Sequence, residues 1–304
     1  MNTAKTVQIL RDAIGAHKVL TDEPMSRHTT FRVGGPADIF IQPETAEDVC
    51  AAVRLFREAG VRLLTLGNGS NLVVRDGGIR GAILHCGDNF STIRARGDLL
   101  SAQAGALLPH VAAAALAYGL TGMEFASGIP GSIGGAAAMN AGAYGGEMKD
   151  ILHSITAVTP EGGLVTYAVE EMHYAYRHSR VHEENLVVVD VTLALRRGDL
   201  EESRALLADY TARRREKQPL EMPSAGSFFK RPPGHFAGKL IEDAGCKGLS
   251  VGGAKVSEKH AGFIVNEGNA TAADILALAE LVTARVKAQF GVELEREVRV
   301  VGEE

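Results

Sequence analysis

The stretch Gly122–Gly146, GMEFASGIPGSIGGAAAMNAGAYGG, constrains this chain more than any other. Fourteen of its 25 residues are glycine or alanine, and its only charge is Glu124. It therefore offers little side chain from which to build a core. Glycine carries a large backbone-entropy cost, so a dense cluster implies that something needs bare backbone there. Two readings stay open from the residues alone. Successive N–H groups in tight turns form anion-binding nests, which points to a ligand with phosphates. The other reading is a small-residue loop where two elements pack closely.

The rest of the composition narrows the setting. A chain of 304 residues can bury a large core and hold two or three domains. The formal net charge of −5 argues against a nucleic-acid partner. Trp is absent and aromatics are 5% of residues, which argues against a base-stacking surface. Cys50, Cys86 and Cys246 are odd in number and far apart, with no CxxC, so neither a disulfide framework nor a zinc site is indicated. The N-terminal MNTAKTVQILRDAIG lacks the apolar core of a signal peptide. No apolar run approaches the ~18 residues needed to span a membrane. The expected location is the cytoplasm, with no membrane partner.

Along the chain, residues 3–14 read as an amphipathic helix. A loop, His28-Thr29-Thr30-Phe31-Arg32-Val33-Gly34-Gly35-Pro36, leads to a strand at Ala37–Ile41. Thr45 offers an N-cap with Asp48 three residues on; Val49, Ala52, Val53 and Phe56 give the helix a buried face, and Gly60 ends it. Val61–Leu66 completes a β-α-β unit. Gly67-Asn68-Gly69-Ser70-Asn71 follows directly, then strands at Leu72–Val74 and Ile79–Leu84 around Asp76-Gly77-Gly78. A strand-to-glycine-turn junction can present bare N–H groups to a phosphate, although a plain tight turn has the same composition. It is neither a GxGxxG opening a helix nor a P-loop, so the two common nucleotide folds are disfavoured.

Leu99–Gln103 reads as a strand and Leu107–Tyr118 as an Ala-rich helix. Ile155–Thr159 and Leu164–Tyr167 form a hairpin around Glu161-Gly162-Gly163, and Asn185–Arg196 is a strand with the run Val187-Val188-Val189. Composition shifts at Leu200–Lys217, a charged, solvated helix containing Arg213-Arg214-Arg215. Pro219, Pro223, Pro232 and Pro233 mark the entry to a new domain. There His235–Ala244 is a short helix, and Val251–Ala254 and Phe263–Val265 are strands. Thr271 with Asp274 caps a last helix whose core face is Ile275, Leu278, Val282 and Val286, closed by Gly291. Glu293–Val301 reads as a final charged, half-exposed strand.

Six motifs in this order resemble one family: Thr29-Thr30-Phe31-Arg32-Val33-Gly34-Gly35, the Gly67–Asn71 turn, the Gly128-Ile129-Pro130-Gly131-Ser132…Gly134-Gly135…Asn140…Tyr144 stretch, Tyr176-Arg177-His178-Ser179, Gly226-Ser227-Phe228-Phe229-Lys230, and Leu294-Glu295-Arg296-Glu297-Val298-Arg299. Together they closely resemble the UDP-N-acetylenolpyruvoylglucosamine reductases of bacterial peptidoglycan synthesis, over about residues 20–302. The resemblance implies an α+β chain: a two-subdomain FAD-binding fold of the vanillyl-alcohol-oxidase/PCMH type plus a smaller α+β substrate-binding domain. The expected boundaries are 1–88 with the C-terminal strand 293–304, then 89–200, then 201–292. It also implies the short branch, because Tyr176–Val187 leaves no room for the tyrosine loop of the longer branch. Arg231 stands where that branch has Asn, so its substrate contacts are not carried over.

The implied reaction takes UDP-N-acetylglucosamine enolpyruvate to a lactyl ether, with NADPH as co-substrate and FAD as cofactor. The implied FAD-binding residues are Gly67, Asn68, Gly69, Ser70, Asn71, Gly128, Ile129, Pro130, Gly131, Ser132, Gly134, Gly135 and Asn140. Ser70 stands in the turn where a His would be needed for covalent attachment, so FAD is expected to be non-covalent. Adding hydride beside a carboxylate creates an enolate, which needs preorganised donors and a fixed cation. Arg177 fits the cation, Glu297 a protonated donor, and Ser227 the proton donor to C2, helped by Lys230 or a water. Lys230, with Lys239 behind it, is expected to meet substrate phosphates, and Tyr144 to cover the substrate or nicotinamide. Two rival readings are another FAD oxidoreductase of this fold and a non-redox nucleotide-sugar binding module. His178 and His182 sit four apart without a helical pattern, so no metal site is expected.

Overall fold

The computed structural model describes residues 3–304. The opening helix α1 (Thr3–Ile14) buries Val7, Leu10 and Ile14. Strand β1 (Val19–Pro24) was not legible, because Asp22, Glu23 and Pro24 are poor strand formers. After β2 (Pro36–Ile41), helix α2 (Ala46–Ala59) starts as expected: Asp48 N–H donates to Thr45 Oγ1 at 3.1 Å, and the Asp48 carboxylate accepts from Thr45 N–H. Gly60 closes it with a left-handed φ of 61°. Strands β3 (Leu63–Leu66), β4 (Leu72–Val74) and β5 (Ile79–His85) follow. The sheet order is β1-β2-β5-β3, so β5 lies between the strands of the β2-α2-β3 unit and pairs in parallel with β3.

Strands β6 (Ile93–Arg96) and β7 (Leu99–Gln103) lead to helix α3 (Leu108–Ala117) and the short β8 (Leu120–Thr121). The Gly/Ala stretch is more regular than its composition implied. It contains helix α4 (Ile133–Ala138) and part of a tight hairpin, β9 (Gly142–Ala143) with β10 (Gly146–Glu147). Next come β11 (Leu152–Val158), β12 (Leu164–Ala168), the single-turn α5 (Arg180–Glu183), β13 (Val187–Ala194), β14 (Arg196–Arg197) and α6 (Leu200–Lys217). The expected β11–β12 hairpin forms the edge of a five-stranded antiparallel sheet, β12-β11-β13-β7-β6. In α6 only Ser203 is buried among the described residues, as a solvated helix requires.

The C-terminal elements are β15 (Ser224–Ser227), α7 (Ala237–Asp243), β16 (Ser250–Val251), β17 (Ala254–Val256), β18 (Phe263–Asn266), α8 (Ala272–Phe290) and β19 (Arg299–Val301). They include an antiparallel sheet, β15-β18-β17-β16. Two strand expectations need correction. Val251–Ala254 is not one strand: Gly252-Gly253 turns the chain, and β16 pairs back on β17. Glu293–Val301 is strand only at β19, which pairs in parallel with β4; Glu293–Val298 is irregular. Helix α8 has the expected Thr271/Asp274 capping box and Gly291 end. Its first N–H groups also receive help: Asp76 accepts from Ala272 at 2.9 Å and Ala273 at 3.0 Å.

The chain divides into two compact units. One comprises the chain up to Thr21, Ile39–Asn68 and Gly81–Ala212; the other comprises Asp22–Asp38, Gly69–Arg80 and Arg213–Glu304. Each has its own apolar core. Leu10, Val49, Phe56, Leu100, Val111, Ile133, Ile155 and Val191 anchor the first. Phe31, Val73, Phe228, Ile241, Ile264, Ile275 and Val282 anchor the second.

Candidate active site

The Gly/Ala stretch packs closely in part and leaves some of its backbone donors unsatisfied. The N–H groups of Ile129, Ile133 and Gly134 are used within the protein, by the carbonyls of Ala126, Ala106 and Ala104 at 3.0, 2.8 and 2.9 Å. A Cβ at Gly134 would lie 2.6 Å from that of Ala104, so this glycine serves close packing. The N–H groups of Gly128, Gly131 and Ser132 meet no acceptor among the described residues. The same is true of Gly67, Asn68, Gly69 and Ser70 in the first glycine turn.

In the first unit these two donor-bearing segments adjoin. Asn68 Nδ2 donates to the Pro130 carbonyl at 2.5 Å, and a Cβ on Gly67 would lie 2.1 Å from Ser132 Oγ. A side chain at 67 would therefore displace the Ser132 hydroxyl. The unsatisfied backbone donors of Gly67 and Asn68 beside those of Gly128, Gly131 and Ser132 form a cradle suited to a diphosphate. Ile129 and Pro130 line the turn, and Gly135 is exposed on the first turn of α4. The buried Asn140 amide donates to Glu147 Oε2 at 2.8 Å and accepts from Lys149 N–H at 3.0 Å, pinning the β9–β10 hairpin.

Tyr144 sits at the tip of that hairpin with φ 52°. Its ring stacks on Tyr210 of α6, centroids 4.1 Å apart and planes 1° from parallel, and its hydroxyl donates to the Tyr210 carbonyl at 3.1 Å. Tyr210 had no local sequence signal, since it sits in a charged helix far along the chain.

Arg177 also has a left-handed backbone, φ 57°, in a turn closed by reciprocal bonds between Ala175 and His178. Ser179 Oγ donates to the Ala138 carbonyl at 2.6 Å, which fastens this turn to the end of α4. Hydrogen bonds from Lys149 and Asn140 hold the Glu147 carboxyl below its ordinary range, with a smaller contribution from the Arg177 charge. His173 and His178 each contact Glu183, at 2.9 Å. His178 and His182 do stack, at 5.8 Å between ring centroids, with His182 on the single helical turn α5 that the sequence did not show. Among the described residues no group of three or more His, Cys, Asp or Glu could hold a metal ion.

The second unit brings together the other candidates. Thr30 N–H donates to the Gly69 carbonyl at 3.3 Å, and Thr30 Oγ1 donates to the Ser224 carbonyl at 2.6 Å. The first threonine-rich loop thereby ties the glycine turn to β15, the strand that carries Ser227. Residues 227–230 run beside 295–297: Glu297 N–H donates to Phe228 O at 2.9 Å and Lys230 N–H to Glu295 O at 2.8 Å. Asn71 Nδ2 donates to the Glu297 carbonyl at 3.2 Å, and Asn71 O accepts from Arg299 N–H at 3.1 Å. Backbone and side-chain hydrogen bonds thus connect the segments that carry Gly69–Asn71, Ser227, Lys230 and Glu297. Ser227 is exposed and Glu297 half-buried. Lys230 forms an ion pair with Glu295. Lys239 is exposed on α7 and pairs with Asp243 at 2.6 Å. The structural partners Thr30 and Asn71 lie inside motifs the sequence singled out, but their contacts are long-range and could not be read there.

Residues 37–168 match the family model described as FAD binding domain, and residues 218–301 match UDP-N-acetylenolpyruvoylglucosamine reductase, C-terminal domain. The chain is similar to the UDP-N-acetylenolpyruvoylglucosamine reductase of Syntrophomonas wolfei, 48% identical over 293 residues, covering 96% of this chain and 98% of that protein. The same enzyme of Geobacillus kaustophilus is 50% identical, covering 98% and 97%. Among solved structures, the reductase from Thermus caldophilus superposes with TM-score 0.79 at 37% identity, over 93% of this chain and 97% of that one. A 4-ethylphenol oxidase from Gulosibacter chungangensis, TM-score 0.50 at 17% identity over 64% of this chain and 42% of that one, shares the fold alone. The expected fold class, an FAD-binding region of the PCMH type followed by a C-terminal substrate domain, is borne out. Neither rival reading is favoured, because the likeness continues through the C-terminal domain that carries Ser227 and Glu297. The chain belongs to the UDP-N-acetylenolpyruvoylglucosamine reductase family.

Proposed function

We propose that this protein reduces UDP-N-acetylglucosamine enolpyruvate to UDP-N-acetylmuramate with NADPH, as a cytoplasmic step of peptidoglycan precursor synthesis. The observation that carries the reading is the full-length likeness to reductases of that name, at 48% identity over 96% of the chain. The donor cradle supports the cofactor. The free N–H groups of Gly67 and Asn68, and of Gly128, Gly131 and Ser132, fit a diphosphate and hence FAD. With Ser70 and no His in the first turn, attachment is non-covalent. When bound, FAD supplies to the terminal enolpyruvyl carbon the hydride it has taken from NADPH.

The chain's own residues handle charge and the proton. As the new C–H bond forms, the pair of the C=C bond moves onto C2 and the adjoining carboxylate. Arg177 holds that carboxylate with two parallel N–H bonds, and its fixed cation stabilises the second negative charge. Glu297 donates a hydrogen bond to the same enolate. The Ser227 O–H bond then breaks toward C2, and Ser227 regains its proton from water. Lys230 carries positive charge for the substrate phosphates, exchanging Glu295 for them, with Lys239 behind it. Tyr144, backed by Tyr210, covers the substrate or nicotinamide.

The test is product analysis. Purified protein with FAD, NADPH and the enolpyruvyl sugar should yield a product heavier by two hydrogens, with one NADPH consumed per product. No product and no substrate-dependent NADPH oxidation would overturn the reading.

A further inference from the structure

The segment Ser224–Phe229 does not follow the alternation of a regular strand. In a period-two strand Ala225 and Ser227 would share one face and Phe228 would take the other. Here Ala225 and Phe228 are both buried, at 3% and 0% exposure, while Ser227 is exposed. The parity is broken by one extra residue. Ser224 pairs with Val265 and Ser227 with Phe263, so three steps along β15 oppose two along β18. Gly226 sits inside that bulge with φ 74°, in the left-handed region. A glycine there is the signature of a bulge that re-aims its neighbour.

Crowding does not explain this glycine, since a Cβ built at Gly226 would meet nothing within 4 Å. The requirement is conformational. Downstream the chain is fixed, because Phe228 N–H donates to Gly262 O at 2.9 Å and Phe228 O accepts from Glu297 N–H at 2.9 Å. Upstream, Ser224 pairs with Val265, so a change in φ at Gly226 is absorbed within Ala225–Ser227.

We propose that Gly226 is a positioning residue for the reaction: its left-handed backbone makes the bulge that turns the Ser227 hydroxyl out of β15, where it delivers its proton. This rests on the reading of Ser227 as the proton donor, and the test separates the two. An L-side chain at 226 fits the space but resists the φ, whereas Asn tolerates the left-handed region best among non-glycine residues.

The experiment compares Gly226→Ala, Gly226→Asn and Ser227→Ala holoenzymes by anaerobic stopped flow, following flavin reduction by NADPH and reoxidation by the enolpyruvyl sugar separately. For Gly226→Ala, reoxidation should slow about 10²-fold, the loss expected of a misplaced reacting group. Its solvent isotope effect should grow, while flavin reduction stays within about 2-fold. Gly226→Asn should recover most of the reoxidation rate. Equal losses in the two Gly226 variants, or a native rate in Gly226→Ala beside an impaired Ser227→Ala, would overturn the positioning role alone. A native rate in Ser227→Ala would overturn the assignment of Ser227 and the positioning role with it.

Discussion

Lys18 Nζ lies 2.8 Å from Asp48 Oδ2, with side chains only 10% and 11% exposed. Burial pushes the Asp48 carboxyl up, but the Lys18 hydrogen bond and the N–H groups of Glu44 and Thr45 outweigh it and leave its pKa below the ordinary 3.8. Burial likewise opposes the Lys18 charge, and its bonds to Asp48 and Glu44 win, raising it above 10.5. The depressed carboxyl stabilises the fold above its unfolded pKa and loses that contribution as pH falls through the folded value. The raised ammonium stabilises below its unfolded pKa and loses it as pH rises through the folded value. Lys18→Met should therefore cost about 3 kcal/mol in urea unfolding between about pH 5 and 9, and the difference should shrink toward pH 3. A pH-independent difference would contradict the pairing. At the same scale, if Arg177 grips the substrate carboxylate as proposed, Arg177→Lys would replace two prongs by a point charge, and kcat/KM should fall about 10- to 100-fold. An unchanged value would remove Arg177 from the reaction. Sequence motifs named Arg177, Ser227 and Glu297, but not the contacts around them. Tyr210 beneath Tyr144, and Thr30 bridging Gly69 to Ser224, are partners separated by 66 and 194 residues.

Elements were legible where their ends carry local chemistry. Helices α2 and α8 start at capping boxes and stop at left-handed glycines, so Thr45, Gly60, Thr271 and Gly291 bounded them in advance. Elements without such marks were missed or misdrawn. Helix α4 is Ile-Gly-Gly-Ala-Ala-Ala, with no hydrophobic period to detect, and its register comes from Ala104 and Ala106 instead. Glu293–Val298 alternates charge like an exposed strand, but its neighbour is the irregular 227–230 segment, leaving only Arg299–Val301 to pair with β4. Thr271→Ala removes one cap of α8 and should lower stability by about 1 kcal/mol with an unchanged urea m-value. Asp76→Ala removes the acceptor of two further N–H groups and should cost at least as much. No loss in either variant would show that these caps do not hold the helix.

At the scale of the whole molecule, composition gave the size of the core and the shift at Leu200, and six motifs in register gave the fold class. The interleaving of segments was not readable, because nothing local announces that Asp22–Asp38 and Gly69–Arg80 join the C-terminal unit. Among the described residues no helix is long and apolar enough to cross a membrane. FAD binding to the folded chain should raise its stability by about 2.7 kcal/mol at a hundred times the dissociation constant. The Tm should therefore rise with FAD concentration, and a Tm indifferent to FAD would contradict the proposed cradle at Gly67, Asn68 and Gly128–Ser132. The central claim is best tested by the visible spectrum of the purified protein under anaerobic conditions. The account predicts a flavin spectrum that NADPH bleaches and that UDP-N-acetylglucosamine enolpyruvate restores. Bleaching without recovery would contradict the substrate assignment, and a colourless protein that takes up no added FAD would contradict the flavoenzyme itself.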